Sequence, residues 1–335
     1  MKKCIAAAVA VAFSFALIAC GGGDKAAKSQ VWKLAFNQSP EHPQAQALKW
    51  LSEEFAKATN GKYKIEISHN ELLGNQKEAF ESLQNGVIQM AMLGNPIIEA
   101  VNADFGLISL PGLYDSVQHQ QNVFTSDVLK GLFDSTRPNH FIVLSGIHAG
   151  VRNVYGKKPV HTPADLKGMK IRVQQSQSMI DVINAMGGVA VAMSQGEVYT
   201  AIQQGVLDGA ENNEVTYYDL KQYEVAPVYS YTKHFMIPDI LVINDATYDS
   251  LSADEKKIFD DLIKQTVVKS FEIFLDKVGQ SKQAAIDKGA KFVEDVDASV
   301  FQKRFVPLVN KFINAPAATK GLNRNDLYKQ IKAVK

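Results

Sequence analysis

The 335-residue chain is poor in cysteine, holding two, Cys4 and Cys20. With Cys4 inside an N-terminal leader, no intrachain disulfide can form after export, and the fold must rest on its apolar core. Net charge is almost absent: 36 Lys and Arg oppose 35 Asp and Glu, for a formal +1. That balance gives no ground for nucleic acid or another polyanion as a partner. After residue 19 no apolar run approaches the roughly 20 residues that a membrane-spanning helix needs. Motifs are missing as well. No Gly-x-Gly-x-x-Gly follows the first strand-like stretch and no Gly-x-x-x-x-Gly-Lys-Ser/Thr occurs, so dinucleotide and nucleotide chemistry lack their phosphate cradles. The seven histidines form no His-x-x-x-His pair, there is no Gly-x-Ser-x-Gly, and neither a metal nor another cofactor is expected.

What the chain does have begins at its first residues. Lys2 and Lys3 precede the apolar run Ile5–Ala19, and Cys20 is followed by Gly21, Gly22 and Gly23. A charged start and an apolar stretch of about 15 residues fit a secretory signal over residues 1–19. Leu17-Ile18-Ala19-Cys20 resembles the bacterial lipobox, so Cys20 is expected to carry a lipid and residues 20–30 to form a tethered linker. Removing Lys2 and Lys3 turns the formal +1 into −1.

From Val31 the pattern alternates between periods. Trp32–Phe36 reads as a strand, and Ala45, Leu48, Leu51, Phe55 and Ala58 recur at helical spacing before Asn60-Gly61. Tyr63–Ile67 returns to strand alternation. This is βαβ syntax, which predicts an α/β fold. The chain also echoes itself: Leu83–Ala91 matches Ile202–Ala210 at its apolar positions and at Gly86 and Gly205. Two similar units predict two lobes, with hinge-like crossings near Gly146–Arg152 and Tyr231–Pro238. The expected division gives 31–149 and 238–277 to the first lobe, and 150–237 and 278–331 to the second. Ser252 and Glu255 form a capping-box pattern ahead of an apolar face that runs toward Gly289, predicting a helix of nearly 38 residues, about 55 Å long. Pro307 is expected to interrupt the segment around Phe301–Phe312.

Three polar residues stand where apolar ones would be normal. Arg172 lies inside an Ile-Arg-Val strand, Arg152 follows a strand and a crossover, and Asn212 ends the second echoed strand. A guanidinium cannot shed its charge, so each arginine needs an anion, either a ligand carboxylate held by two parallel hydrogen bonds or an internal Asp or Glu. Asn212 offers a donor and an acceptor at a strand end that suits ligand binding, or serves a turn. His42, His148 and His234 are candidate polar ligands or structural groups.

Taken together, Glu71-Leu72-Leu73-Gly74, Asp165–Val173, Glu197–Asn212 and Tyr223-Glu224-Val225 resemble the periplasmic solute-binding subunits of tripartite ATP-independent (TRAP) transporters, the dicarboxylate-receptor type. The resemblance spans about Val31 to Phe312. It implies a two-lobed α/β periplasmic binding protein with hinge strands and a long helix bridging both lobes. It further implies no enzymatic activity, a small organic acid as ligand, and delivery to small and large membrane subunits driven by an ion gradient; a monomer is expected. Arg172 would hold the carboxylate, Asn212 would assist, and Arg152 would add a contact. The sialic-acid-binding members carry charged residues where this chain has Gln76, Gly94 and Ile97, and a phenylalanine where it has Gln195. The uncharged set Asn37, His42, Gln76, Asn95 and Gln195 therefore suits the hydroxyls of a uronate or aldonate, with Phe235, Tyr217 and Tyr218 as walls. A C4-dicarboxylate or 2-oxo acid would instead want a second cation, which Lys233 or His234 could supply. The same residues are compatible with a binding protein that serves a sensor kinase, or with an enzyme that uses Glu211 and His234 as acid and base.

Overall fold

The computed structural model describes residues 29–335; the expected signal peptide, Cys20 and most of the linker lie outside them. Two sheets organise the chain. β1 (Gln30–Phe36), β2 (Tyr63–Ser68), β3 (Met90–Gly94) and β4 (Phe141–Ile147) form the first, and β10 (Asp239–Asn244) returns to it, in the order β2-β1-β3-β10-β4. β1, β2 and β3 run parallel while β10 inserts antiparallel between β3 and β4. The second sheet holds β5 (Arg152–Gly156), β6 (Lys170–Val173), β7 (Val189–Ala192), β8 (Gly209–Asn212), β9 (Val228–Phe235) and β11 (Lys291–Val293), in the order β11-β9-β5-β8-β6-β7.

The echoed segments occupy matching places. α2 (Gln76–Gln84) turns through Gly86 at φ 71° into β3, and the helix Val198–Gln203 turns through Gly205 at φ 76° into β8. In each, the glycine adopts a left-handed conformation that ends the helix cheaply. The next valine faces solvent while the following Ile88 or Leu207 is buried. Both strands sit inside their sheets, so their carboxyl ends deliver residues toward the space between the lobes.

One core fills the first sheet, with Trp32 in ring contact with Phe55, Tyr63 and Phe259. The second sheet carries a smaller core on each side, one around Ile171, Val173 and Met179 and the other around Tyr155, Tyr217 and Tyr229. A 35-residue helix, Ala253–Asp287, links them; Ser252 and Glu255 form the capping box at its start. At 1.5 Å per residue it is about 52 Å long. Phe259, Ile263 and Val267 join the first core and Ala285 joins the second unit. β4 passes to β5 and β9 passes to β10 through short connections, the first bent at Gly150, φ 80°, where a Cβ would lie 2.5 Å from Asn213 Cβ.

Two expectations are corrected. Pro307 does not interrupt its segment: it lies within the helix Ser299–Ile313, on the exposed face, where water can serve the carbonyl that it leaves unpaired, while Phe301 and Phe305 bury the other face. The C-terminal helix Arg324–Ala333 does not belong with the second lobe as the 278–331 assignment had it. It buries Leu327 and Ile331 in the first core and ties Arg324 to Asp104 at 2.7 Å.

Candidate functional site

The two motifs that flank β6 and β8 are held in place by their own polar groups. Asp165 accepts from the backbone N–H groups of His161 and Thr162, closing the turn ahead of Gly168 and β6. Asp208 accepts from Lys170 N–H at 2.8 Å and its own N–H donates back to Lys170 O, locking the starts of β6 and β8 together. Gly209 has no room for a side chain, since a Cβ would come within 2.2 Å of Tyr155 O. The pairing sets Arg172 opposite Ala210, with Asn212 two residues on along the same face.

Arg172 is 3% exposed. Its Nε donates to Met193 O at 2.8 Å, yet among the described residues no carboxylate lies within 4.0 Å of its guanidinium. Burial pushes its pKa below the usual arginine value, and the nearby Arg152 acts in the same sense against the opposing charge of Glu211. It remains a cation at any physiological pH. Arg172 also lines a narrow space between the two sheets, facing Glu71, Asn75 and Gln76 from the first unit and flanked by Gln174 and Gln195 of its own.

Arg152 has a different environment. Its Nε donates to Glu211 Oε2 at 2.5 Å, its Nη2 to Glu211 Oε1 at 2.7 Å and to Glu211 O at 2.9 Å, and its Nη1 to Asn212 Oδ1 at 3.1 Å. Burial opposes the charge of Arg152, but Glu211 outweighs it and holds the pKa above its usual value. Asn212 Oδ1 also accepts from Asn213 N, so its NH2 is the end left to donate elsewhere.

The remaining expected residues divide. Gln76 lines the space beside Arg172 and accepts from Gly94 N–H at 2.6 Å. Asn37 lines an adjoining space and donates to Gln195 Oε1 at 3.3 Å, and Gln195 Nε2 donates to Gln38 at 3.1 Å. His42 is buried between Phe36 and Phe274, its pKa driven down to about 3 mainly by burial, with Nε2 lacking a partner. Asn95 is fully buried, donating to Phe105 O and Ser109 Oγ. Phe235 packs in the apolar core with Ile237 and Phe301, and Tyr217 is likewise core; neither walls the space at Arg172. Lys233 Nζ rests over the Tyr231 ring. His234 is buried with its pKa below the usual value through desolvation, 3.4 Å from the Glu211 carboxylate. Glu71 and Gln174, which share the space at Arg172, and Glu99, which faces Ser176 and Ser178 across the lobes, carry no signal of a site role in the sequence; their polar character is ordinary for a surface, and only the approach of the two sheets brings them into play. Among the described residues no cluster of His, Cys, Asp and Glu could hold a metal ion, and no helix is long and apolar enough to cross a membrane.

The model of the family described as bacterial extracellular solute-binding protein, family 7, matches residues 34–315. The chain belongs to that family. It is a DctP-type periplasmic solute-binding subunit of a TRAP transporter. A solute-binding protein of Chromohalobacter salexigens is 31% identical over 86% of each chain. A TRAP solute-binding protein of Anaerococcus prevotii with bound D-glucuronate is 32% identical, with a TM-score of 0.84 over 91% of this chain and 97% of its own. One of Xanthobacter autotrophicus with bound β-D-galacturonate is 27% identical, with a TM-score of 0.85 over 91% of this chain and all of its own.

In this DctP-type receptor the two units touch directly. Besides the Asn37, Gln38 and Gln195 contacts, Glu71 accepts from Gly196 N–H, and Glu99 at the end of α3 (Asn95–Glu99) accepts from Ser176 Oγ at 3.1 Å and Ser178 Oγ at 2.6 Å. Glu99 thus sets a carboxylate at the N-terminus of the helix Gln177–Met186, where the dipole favours negative charge. These bonds hold the two lobes against each other. Glu99→Ala is expected to favour the open arrangement and weaken solute affinity by about tenfold, because apparent affinity scales with the fraction able to close. Scattering from the free protein and a solute titration check this; no change in either would remove Glu99 from closure.

Proposed function

We propose that this chain captures a uronate by its carboxylate on Arg172 and delivers it to the small and large membrane subunits of its transporter. The observation that carries this is the buried, unpaired guanidinium of Arg172 at the space between the lobes. A buried charge is costly unless an anion completes it, and a planar fork suits a carboxylate.

The count of cations favours one carboxylate over two. Glu211 neutralises Arg152, and burial keeps His42 and His234 neutral. Gln76, Gln174 and Gln195 offer amide donors and acceptors that match hydroxyls. The uronates bound by the similar proteins of Anaerococcus and Xanthobacter support the same class. Arg152 and Asn212 then act together: Glu211 and Asn212 hold Arg152, and the Asn212 NH2 is turned to the ligand. Binding would begin in the open form, with closure excluding water and strengthening the ion pair. The chain performs no turnover. It acts as a monomer, tethered in the periplasm through a lipid on Cys20.

Thermal denaturation of the protein with D-glucuronate, D-galacturonate, gluconate, succinate and pyruvate tests this. Ligand at about 100 times its Kd adds about 2.7 kcal/mol to stability, so a uronate should raise Tm by several degrees. A larger rise with succinate than with every sugar acid would refute the reading.

A further inference from the structure

We propose that Glu71 is the specificity-determining residue that admits a sugar acid and turns away a dicarboxylate. The inference deepens the uronate reading above and rests on it. Glu71 sits on the loop between β2 and α2, in the space that Arg172 lines. Asn70 and Glu71 are consecutive non-glycine residues with left-handed backbones, φ 53° and 58°, a conformation that carries a steric cost for residues with a Cβ. The loop is held there by Asn70 N–H on Gln38 O and Gly74 N–H on Glu71 O.

The carboxylate oxygens have unequal surroundings. Oε2 accepts from Gly196 N–H at 3.1 Å across the lobes, whereas Oε1 is buried and has no hydrogen-bond partner. A buried acceptor normally finds a donor. Burial raises the pKa of Glu71, opposed by the Gly196 N–H and the charge of Arg172. Uronates and dicarboxylates can present the same carboxylate to Arg172; they differ at the other end. A hydroxyl of the sugar acid donates to Oε1 and completes it as a charge-assisted hydrogen bond. A second carboxylate placed there meets a like charge, and among the described residues that line the space Arg172, already engaged, is the one cation. One side chain thus supplies both the attractive and the repulsive element that discrimination requires.

Calorimetric titration of the wild type, Glu71→Gln and Glu71→Ala with D-glucuronate, D-galacturonate and succinate tests this. Glu71→Gln keeps an acceptor for Gly196 N–H but loses the charge. It is expected to weaken uronate binding by about tenfold or more and to strengthen succinate binding, moving the ratio of the two affinities by about 100-fold. Glu71→Ala should weaken uronate binding further. A role confined to the Gly196 contact would weaken both ligands alike, and an unchanged ratio in both variants overturns the proposal while uronate binding by the wild type keeps the broader reading intact. If the wild type binds succinate and neither uronate, the broader reading falls and Glu71 falls with it.

Discussion

Arg172→Ala is expected to abolish the gain in Tm on adding a uronate while leaving the ligand-free protein as stable as the wild type or more so. The two halves of this result have one cause. In the free protein the guanidinium is buried, donates to Met193 O and has no carboxylate within 4.0 Å among the described residues. Its removal therefore relieves a desolvation cost without breaking an ion pair. In the proposed complex the same group would make two charge-assisted hydrogen bonds to the ligand carboxylate. At roughly 1.5–3 kcal/mol each, their loss weakens binding by at least about 100-fold. Arg172→Lys keeps a point charge but loses the parallel fork, so its affinity should fall between the two. Calorimetric titration with D-glucuronate and a melting curve without it read the two effects separately. Undiminished affinity in Arg172→Ala would rule out the carboxylate clamp.

The contrast between Arg172 and Arg152 marks how far sequence carries. Both arginines stand on strands where a charge needs an anion, and the chain shows no difference in kind between them. What separates them is the sheet. β5 lies antiparallel to β8 and brings Arg152 onto Glu211, while β6 lies parallel to β8 with Arg172 opposite Ala210, which offers no acceptor. Pairing partners of this sort are non-local, 59 residues apart for Arg152 and Glu211, and leave no mark in periodicity. The fold was more legible because its signals are local: the capping box at Ser252, the glycine-ended helices before β3 and β8, and the alternation in β1 and β2. Local signals also misled. Pro307 reads as a break, yet its exposed position within a helix anchored by Phe301 and Phe305 makes it tolerable. Asn95 reads as one of the uncharged groups that could meet a ligand hydroxyl, but its NH2 is taken by Phe105 O and Ser109 Oγ, which leaves only Oδ1 without a partner, a fact that depends on a neighbouring turn. Glu71 carries no signal beyond its motif until the lobes meet.

Glu211→Gln is expected to produce the largest loss of stability of the substitutions considered, roughly 3–5 kcal/mol at neutral pH. Glu211 is fully buried, and burial alone would raise its pKa; the charge of Arg152 and the contacts with Arg152 and His234 outweigh that and hold it below the usual carboxylate value. The amide keeps the shape and one acceptor but leaves Arg152 as a buried charge without its counter-ion. The sign of the pH dependence follows from the lowered pKa. A carboxyl whose folded pKa lies below its unfolded value contributes stability that is fully present above the unfolded value, near 4.5, and is lost as pH falls through the folded one. This contribution to the gap between wild type and variant should therefore be constant above about pH 5 and close as the medium becomes more acidic. His42 and His148, driven down by burial to about 3 and about 4, resist protonation in the fold, so both proteins lose stability below about pH 6.5 for that separate reason. That loss is common to both and cancels in the difference, whereas His234, whose lowered pKa is held up in part by Glu211, resists protonation more in the variant and widens the gap below about pH 6.5. Urea denaturation of both proteins between pH 3.5 and 8 reads the gap directly. A difference under about 1 kcal/mol at pH 7 would show that Arg152 does not depend on the Glu211 charge.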